Sequence, residues 1–400
     1  MKFHTPFNLP FVVGKELHYI AQAVTLGNLG GDGPFTQKCC RLLEEEFAIS
    51  QVLMTPSCTA ALELAALLCD LEEGDEVIMP SFTFVSTANA VVRAGGRPVF
   101  VDIRPDTLNL DEQLVAQSIG PRTRAIFAVH YAGVGCEMDF LMDLAEEHGL
   151  LVIEDAAQGV NGFYKGRALG SIGHLGTYSF HETKNYISGE GGALCVNDPS
   201  LLERAHILRD KGTNRQSFLR GEVEKYRWVD VGSSYIPSEL VSAFLFGQLE
   251  EMEHISDRRR NIFRYYFREL AELEERDLLR RPMVPEHCQS NYHLFYILVP
   301  SRQIRKNLED YLADKGVQAI THFEPLHNSP MAKQLDLNRN SLPVTESVAS
   351  RLLRLPLFYG ISEEQQSGVV QGILEFLESS SRDQLTQLEI TQVHGRDSAT

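Results

Sequence analysis

No apolar run in this 400-residue chain approaches the roughly 20 residues that a membrane-spanning helix needs. Met1-Lys2-Phe3-His4-Thr5-Pro6 lacks the continuous apolar segment of a signal peptide. A cytoplasmic protein with no membrane partner is the expectation. The seven cysteines are odd in number and scattered, and no two form a Cys-x-x-Cys pair. That pattern excludes a disulfide framework and a structural zinc site, and predicts buried, neutral thiols. Positive charge is in deficit, 37 Lys and Arg against 54 Asp and Glu, for a net charge of −17. The global field therefore repels nucleic acid and anionic membranes. An anionic small substrate requires a local basic pocket working against that field.

What is present is alternation. Residues 76–79, 98–101, 125–130 and 150–154 are almost unbroken apolar runs, as in strands covered on both faces of a parallel sheet. Helical patterns at 59–71, 83–94, 111–118 and 138–149 separate them. This β-α-β-α order predicts an α/β fold with a mostly parallel, doubly wound sheet and right-handed crossovers. Two more strands are expected at 176–180 and 193–196. Residues 1–238 form the expected large domain. From 239 a long amphipathic helix to 267 opens a smaller C-terminal α/β lobe, 239–378, with strands at 292–299 and 317–323. The polar stretch 379–400 reads as a poorly anchored tail.

Ligands of such sheets gather at the carboxyl ends of the strands. Asp155 closes the 150–154 run in Glu154-Asp155-Ala156-Ala157-Gln158, twenty-nine residues before Lys184. Lys184 lies in Ser179-Phe180-His181-Glu182-Thr183-Lys184-Asn185, ahead of Gly189-Glu190-Gly191-Gly192, in the connection between two expected strands. One lysine and one carboxylate at one sheet edge suit pyridoxal 5′-phosphate (PLP) chemistry. The lysine condenses with the cofactor aldehyde, and the carboxylate keeps the ring nitrogen protonated. A lone lysine is usually a surface residue, and Asp155 alone reads equally as a helix N-cap; the spacing of the two favours function. Gln158 either completes a capping-box pattern or points its amide at the cofactor ring. Ser179 offers a hydroxyl for a phosphate, and the glycine run lets backbone approach a ligand or simply turns a hairpin. Pro56-Ser57-Cys58-Thr59-Ala60 opens a helix, where free N–H groups suit a phosphate or a plain Ser/Thr cap. Of Phe82 and Phe84, one is a candidate to stack on a planar cofactor, and core packing accounts for at least one of the two.

Two other motifs fail. His181-Glu182-Thr183-Lys184-Asn185 begins like H-E-x-x-H but ends in Asn, so it holds no zinc pair. Gly30-Gly31-Asp32-Gly33-Pro34 has neither a preceding strand nor the glycine spacing of a dinucleotide fingerprint.

These residues, with Gly33-Pro34, 57–62, 80–90, Tyr164-Lys165-Gly166 and Pro325-Leu326-His327, resemble the DegT/DnrJ/StrS sugar-nucleotide aminotransferases from about residue 28 to about residue 376. The resemblance implies PLP fold type I and a homodimer with shared active sites. It implies that Lys184 bonds the cofactor, Asp155 contacts its ring nitrogen, Gln158 its phenolic oxygen and Phe84 its ring face. Cys58, Thr59 and Ser179 then bind the phosphate, while His327 and His322 face the substrate. L-glutamate is the implied donor. A nucleotide-linked keto-sugar is the acceptor, a dTDP-4-keto-6-deoxyhexose in the branch with the greatest likeness. Basic residues of the 209–220 loop are candidates for the diphosphate. Many relatives place an Asn, donated to the partner's phosphate, where Ser234 stands here. Relatives that act as dehydratases carry His in place of the lysine, and Lys184 speaks against that branch.

Overall fold

Seven strands make the central sheet: β1 (Gln51–Thr55), β2 (Glu76–Pro80), β3 (Arg97–Val101), β4 (Thr123–Val129), β5 (Leu151–Asp155), β8 (Leu175–Ser179) and β9 (Gly192–Val196). The short strands β6 (Phe163–Tyr164) and β7 (Arg167–Ala168) fall between β5 and β8 in the chain. The computed structural model describes residues 3–337 and 341–396, with side chains described through 379. The order across the sheet is β1-β9-β8-β5-β4-β2-β3. β2, β3, β4, β5 and β8 run parallel, whereas β9 is antiparallel to both β8 and β1. Val77, Ile78, Phe127, Val152 and Ile153 are all buried, which is why these strands read as continuous apolar runs rather than alternating ones.

The helix Cys58–Leu68 (CTAALELAALL) is rich in alanine and buries eight of its residues between sheet and neighbours. Small side chains let it lie close to the strands. Ser57 caps it, accepting from Ala60 N at 3.1 Å, as an N-cap hydroxyl does.

The expected helix 239–267 is two helices, Glu239–Leu249 and Met252–Glu269, with the break at Glu250–Glu251. The first belongs with the large domain. Leu245 and Leu249 join the core cluster that holds Met54, Ile78 and Val152. Glu239 caps the helix Pro34–Phe47 from a distance, accepting from Gly33 N, Phe35 N and Thr36 N at 3.0, 2.8 and 3.1 Å. The small lobe's own core begins at Ile262 and includes Phe295, Leu312, Leu353 and Ile373.

In that lobe β11 (Phe295–Leu298) pairs antiparallel with β12 (Leu352–Leu355), and β10 (Cys288–Gln289) pairs with β6. Residues 317–323 form no strand, because β12 from far along the chain takes the place beside β11. They keep only single bridges, Thr5 to Val317 and Ile320 to Arg354. The stretch expected as a tail continues the last helix, Glu363–Arg396, and residues 397–400 lie outside the described residues. No helix among the described residues is long and apolar enough to cross a membrane.

Candidate active site

Register places the predicted site. Ser179 of β8 lies opposite Gly192 of β9, and Gly192 lies opposite Thr55 of β1. The start of the helix Cys58–Leu68 comes down on that row. A Cβ on Gly192 would stand 2.4 Å from the carbonyl carbon of Ser57 and 2.5 Å from Cys58 N, so only glycine permits this approach. Its role is backbone-to-backbone closeness, which brings a helix N-terminus to the Ser179 hydroxyl. Thr59 Oγ1 is 2.7 Å from Ser86 Oγ, adding two hydroxyls. The Cys58 thiol is buried, and burial with the nearby Asp155 carboxylate pushes its pKa up. Cys58 therefore contributes a backbone N–H here and no thiolate.

Asp155 ends β5, pairs with Thr177 of β8, and is buried. Thr87 Oγ1 donates to its Oδ2 at 2.7 Å and Ala157 N to its Oδ1 at 3.2 Å. Gln158 is also buried, its Oε1 accepting from Ala132 N at 2.7 Å. Behind them His130 Nε2 meets Glu154 Oε2 at 2.8 Å. Glu154 also accepts from Gly170, Ile172 and Gly173 N–H groups at 2.8, 2.6 and 2.6 Å. This network fixes the end of β5.

Lys184 projects from the β8–β9 connection, held by Phe180 N to Gly191 O at 2.8 Å and Glu182 N to Gly189 O at 2.9 Å. It lines a small pocket with Gln158, Ser179, Asn185, Asn291 and His293. Its amine makes no hydrogen bond or ion pair among the described residues. Burial pulls its pKa below the ordinary lysine value, Cys58 and Asp155 pull the other way, and Arg354 lowers it further. An uncommitted amine of lowered pKa is a nucleophile and a proton carrier.

Several residues with no clear local signal complete the site. Asn185 donates to Asn291 O at 2.8 Å and meets His293 Nδ1 at 2.9 Å through its Oδ1. Asn291 donates in turn to Gln158 O and Val160 O at 2.7 and 2.8 Å. Arg354 of β12 bonds only the Thr321 carbonyl through Nε and Nη2, at 3.1 and 2.9 Å, and Phe7 covers its guanidinium at 4.7 Å. It has no acidic partner among the described residues, and burial lowers its pKa to about 10. With Lys184 it helps to drive His322 and His293 well below the usual histidine range, burial being the larger cause in both. Both imidazoles are neutral at physiological pH. The sequence marks Asn185 by its place next to Lys184; His293 and Arg354 arrive from distant strands.

The predicted residues fare differently. His327 is buried, with Nδ1 2.7 Å from Ser81 Oγ and Nε2 3.1 Å from Glu346 Oε1. Neither nitrogen is free for a substrate, so the residue is a strut between the end of β2 and the helix Pro343–Arg351. His322 keeps Nε2 free, while its Nδ1 stands 2.7 Å from the Tyr131 hydroxyl. The bases of the 209–220 loop pair with nearby acids: Arg209 with Asp32 at 2.6 Å, Lys211 with Asp210 at 2.8 Å, and Arg220 with Glu222 at 2.7 Å. Arg215 shares Asp210 with Lys211, at 3.4 Å, so this pair of exposed cations meets one carboxylate. Ser234 is exposed and bridged to Asp210. Phe82 is core, whereas Phe84 is 59% exposed, its ring 6.5 Å from that of Phe323.

The donor set fits PLP. A helix N-terminus with hydroxyls beside it suits a phosphate, a buried carboxylate suits the ring nitrogen, and an unpartnered lysine suits the aldehyde. Exposed Phe84 leaves an aromatic face for the ring.

Comparison with known proteins agrees. Residues 13–374 match the model of the DegT/DnrJ/EryC1/StrS aminotransferase family. The chain is 33% identical to a dTDP-4-dehydro-2,3,6-trideoxy-D-glucose 4-aminotransferase of Saccharopolyspora spinosa, over 89% of this chain and 92% of that one. It is 34% identical to a pleiotropic regulatory protein of Geobacillus stearothermophilus, over 79% and 82%. The crystal structure of the aminotransferase TlmJ from Streptoalloteichus hindustanus superposes with a TM-score of 0.86 at 30% identity, covering 95% of this chain and all of that one. The chain belongs to the DegT/DnrJ/EryC1/StrS aminotransferase family and is a PLP-dependent sugar aminotransferase.

Proposed function

We propose that this aminotransferase moves an amino group from L-glutamate to the 4-keto carbon of a dTDP-4-keto-6-deoxyhexose. The product is dTDP-4-amino-4,6-dideoxygalactose, for a cell-surface polysaccharide such as enterobacterial common antigen. The observation that carries amino transfer is the unpartnered Lys184 amine in a pocket that also feels the Asp155 carboxylate. The dTDP-linked 4-dehydro sugar in the name of the Saccharopolyspora relative supports the substrate class.

PLP, when bound, supplies an electron sink for the bonding pair freed at the donor's α-carbon. The protein's residues do the rest. Cys58 N–H, the Thr59 hydroxyl and the Ser179 hydroxyl hold the phosphate at the helix N-terminus. Asp155, pinned by Thr87, holds a proton on the ring nitrogen. Gln158 reaches the phenolic oxygen, and Phe84 covers one ring face. Lys184 takes the α-proton of the donor in the first half-reaction and delivers a proton to C4 of the sugar in the second. Arg354, which has no acidic partner among the described residues, suits a carboxylate of the donor, and neutral His322 turns its Nε2 to the sugar. Binding of the remote nucleotide holds the ketone in reach.

The enzyme works as a homodimer with shared active sites in this reading. Trp228 is 81% exposed, with Val229 and Val231 beside it and Leu17, Val24 and Leu26 exposed on the helix Glu16–Leu26, more apolar surface than a monomer keeps without use. Exposed Ser234 lies in the same segment and takes the place of the Asn that reaches a partner's phosphate. Trp228→Glu is expected to give monomers by sedimentation, and a dimer that survives it counts against this interface.

A coupled assay with L-glutamate and dTDP-4-keto-6-deoxyglucose, read by mass and proton NMR, tests the substrate. An axial C4 amine supports the galacto product, whereas an equatorial amine moves the reaction to the other epimer. No conversion with glutamate still consumed moves it to another keto-sugar nucleotide, 3-keto or UDP-linked. The name of the Geobacillus relative raises a non-catalytic regulator as the alternative. An enzyme whose cofactor absorption ignores glutamate would support that alternative.

A further inference from the structure

On the far side of the segment 288–293 from Lys184 lies a second and larger cavity of about 630 Å³. The segment is a shared wall. Asn291 and His293 line the Lys184 pocket, while Cys288, Gln289, Ser290 and Tyr292 line the cavity. Tyr292 holds a left-handed φ of +56°, a strained conformation for an aromatic residue, and its carbonyl accepts from buried Arg259 at 3.1 Å.

The cavity has apolar and aromatic walls, Phe263, Phe267 and Met283 among them, and three arginines, Arg264, Arg280 and Arg281. Its two acids are already engaged. Asp106 is held by Arg104 at 2.7 and 3.0 Å, and Glu274 by Arg281 at 2.6 Å. Arg281 also lies over the Phe267 ring at 4.0 Å. Arg280 has neither kind of partner among the described residues: its Nε and Nη2 are enclosed and make no hydrogen bond, and Nη1 is the nitrogen left to face the cavity. Enclosed guanidinium donors without acceptors are rare, since each forfeits its hydration for nothing. The volume lies within the range of small-molecule sites.

We propose that this cavity binds a small organic anion, a carboxylate or phosphate carried on a planar or apolar body, with Arg280 as its charged anchor. The anionic head meets Nη1 of Arg280, and the body rests on the Phe263–Phe267 wall. The site is separate from the Lys184 pocket and needs no assumption about the sugar acceptor.

Titration calorimetry of the cofactor-loaded enzyme with benzoate and with phenyl phosphate tests this, with inorganic phosphate as the control and crystals soaked in the tighter binder. The expected result is a dissociation constant of about 1 mM or tighter for one ring-bearing anion, with its density against Arg280. Arg280→Met is expected to weaken binding by about tenfold or more, the loss of one charge-assisted contact. Met283→Trp, which fills the cavity from its rim, is expected to do the same while leaving the absorption of the bound cofactor unchanged. The choice between benzoate and phenyl phosphate identifies the head group. The proposal is overturned if neither ring-bearing anion binds, if density appears only beside Lys184, or if both variants bind as the parent does. Inorganic phosphate binding as tightly as phenyl phosphate would overturn the organic body.

Discussion

Thr87 Oγ1 donates to Asp155 Oδ2 at 2.7 Å, and the Thr83 hydroxyl stands 3.0 Å behind it. With Ala157 N on Oδ1, both oxygens of the carboxylate are fixed, so Asp155 cannot turn away from its ligand. Thr87→Val keeps the shape and removes the donor. The loss of one hydrogen bond to a charged group, about 1.5–3 kcal/mol, predicts a fall in kcat of about tenfold or more. Thr87→Ser is expected to restore most of it. A merely structural Thr87 would lower the unfolding midpoint and leave the pH profile of kcat in place, so the two measurements together decide the role.

Gly192 makes a second prediction because its missing side chain is filled by the Ser57–Cys58 backbone. Backbone cannot swing aside as the end of a flexible side chain can. Gly192→Ala must lift the helix Cys58–Leu68 away from Ser179, which separates the two halves of the expected phosphate site. Cofactor retention is expected to fall by about tenfold or more, as one good anion contact is worth about 1.5–3 kcal/mol. Equilibrium dialysis against free PLP measures it. Unchanged retention would show that the phosphate sits elsewhere.

His327, expected at the substrate, is instead tied to Ser81 and Glu346. His327→Ala removes the ring that meets the Ser81 hydroxyl and Glu346, leaving Ser81 only the backbone N–H of residue 327; losing one buried hydrogen bond costs about 0.5–1.5 kcal/mol and loosens the small lobe from the end of β2. Urea unfolding is expected to show that loss, with KM for the sugar nucleotide little changed. A raised KM at full stability would return His327 to the substrate.

The parallel strands were legible because β2, β4 and β5 are buried on both faces, so composition alone marks them. β12 escaped because Arg354 separates Leu352-Leu353 from Leu355 and its partner β11 lies more than fifty residues away. The break at Glu250–Glu251 carries no proline or glycine, so the periodicity ran straight through it. Within the site, Asp155 and Lys184 are readable because each sits where a strand meets a loop, and topology carries such positions to one edge. The Thr87–Asp155 bond, and the approach of Arg354 and His293 to Lys184, depend on long-range packing that no local pattern encodes. His327 shows the opposite failure. A histidine in a motif looks the same in sequence whether its ring meets a ligand or a neighbouring serine.

Lys184 gives a prediction whose sign follows from burial. Its amine sits below the ordinary lysine value of 10.5, chiefly because burial penalises the ammonium form. Without cofactor, the folded enzyme thus holds this proton less tightly than the unfolded chain does. At a pH below the folded value both states are protonated, and the folded state bears the whole penalty. As pH rises through the folded value toward 10.5 the folded state sheds its proton first, and the penalty disappears. Lys184→Met is therefore expected to abolish turnover and yet to raise the urea midpoint of the cofactor-free protein at neutral pH. That advantage shrinks as pH approaches about 10.5. Midpoints of both proteins at neutral and at alkaline pH check this. A gap that stays constant with pH would mean that the variant stabilises by packing alone, and that the amine at neutral pH is an ordinary, well-hydrated ammonium.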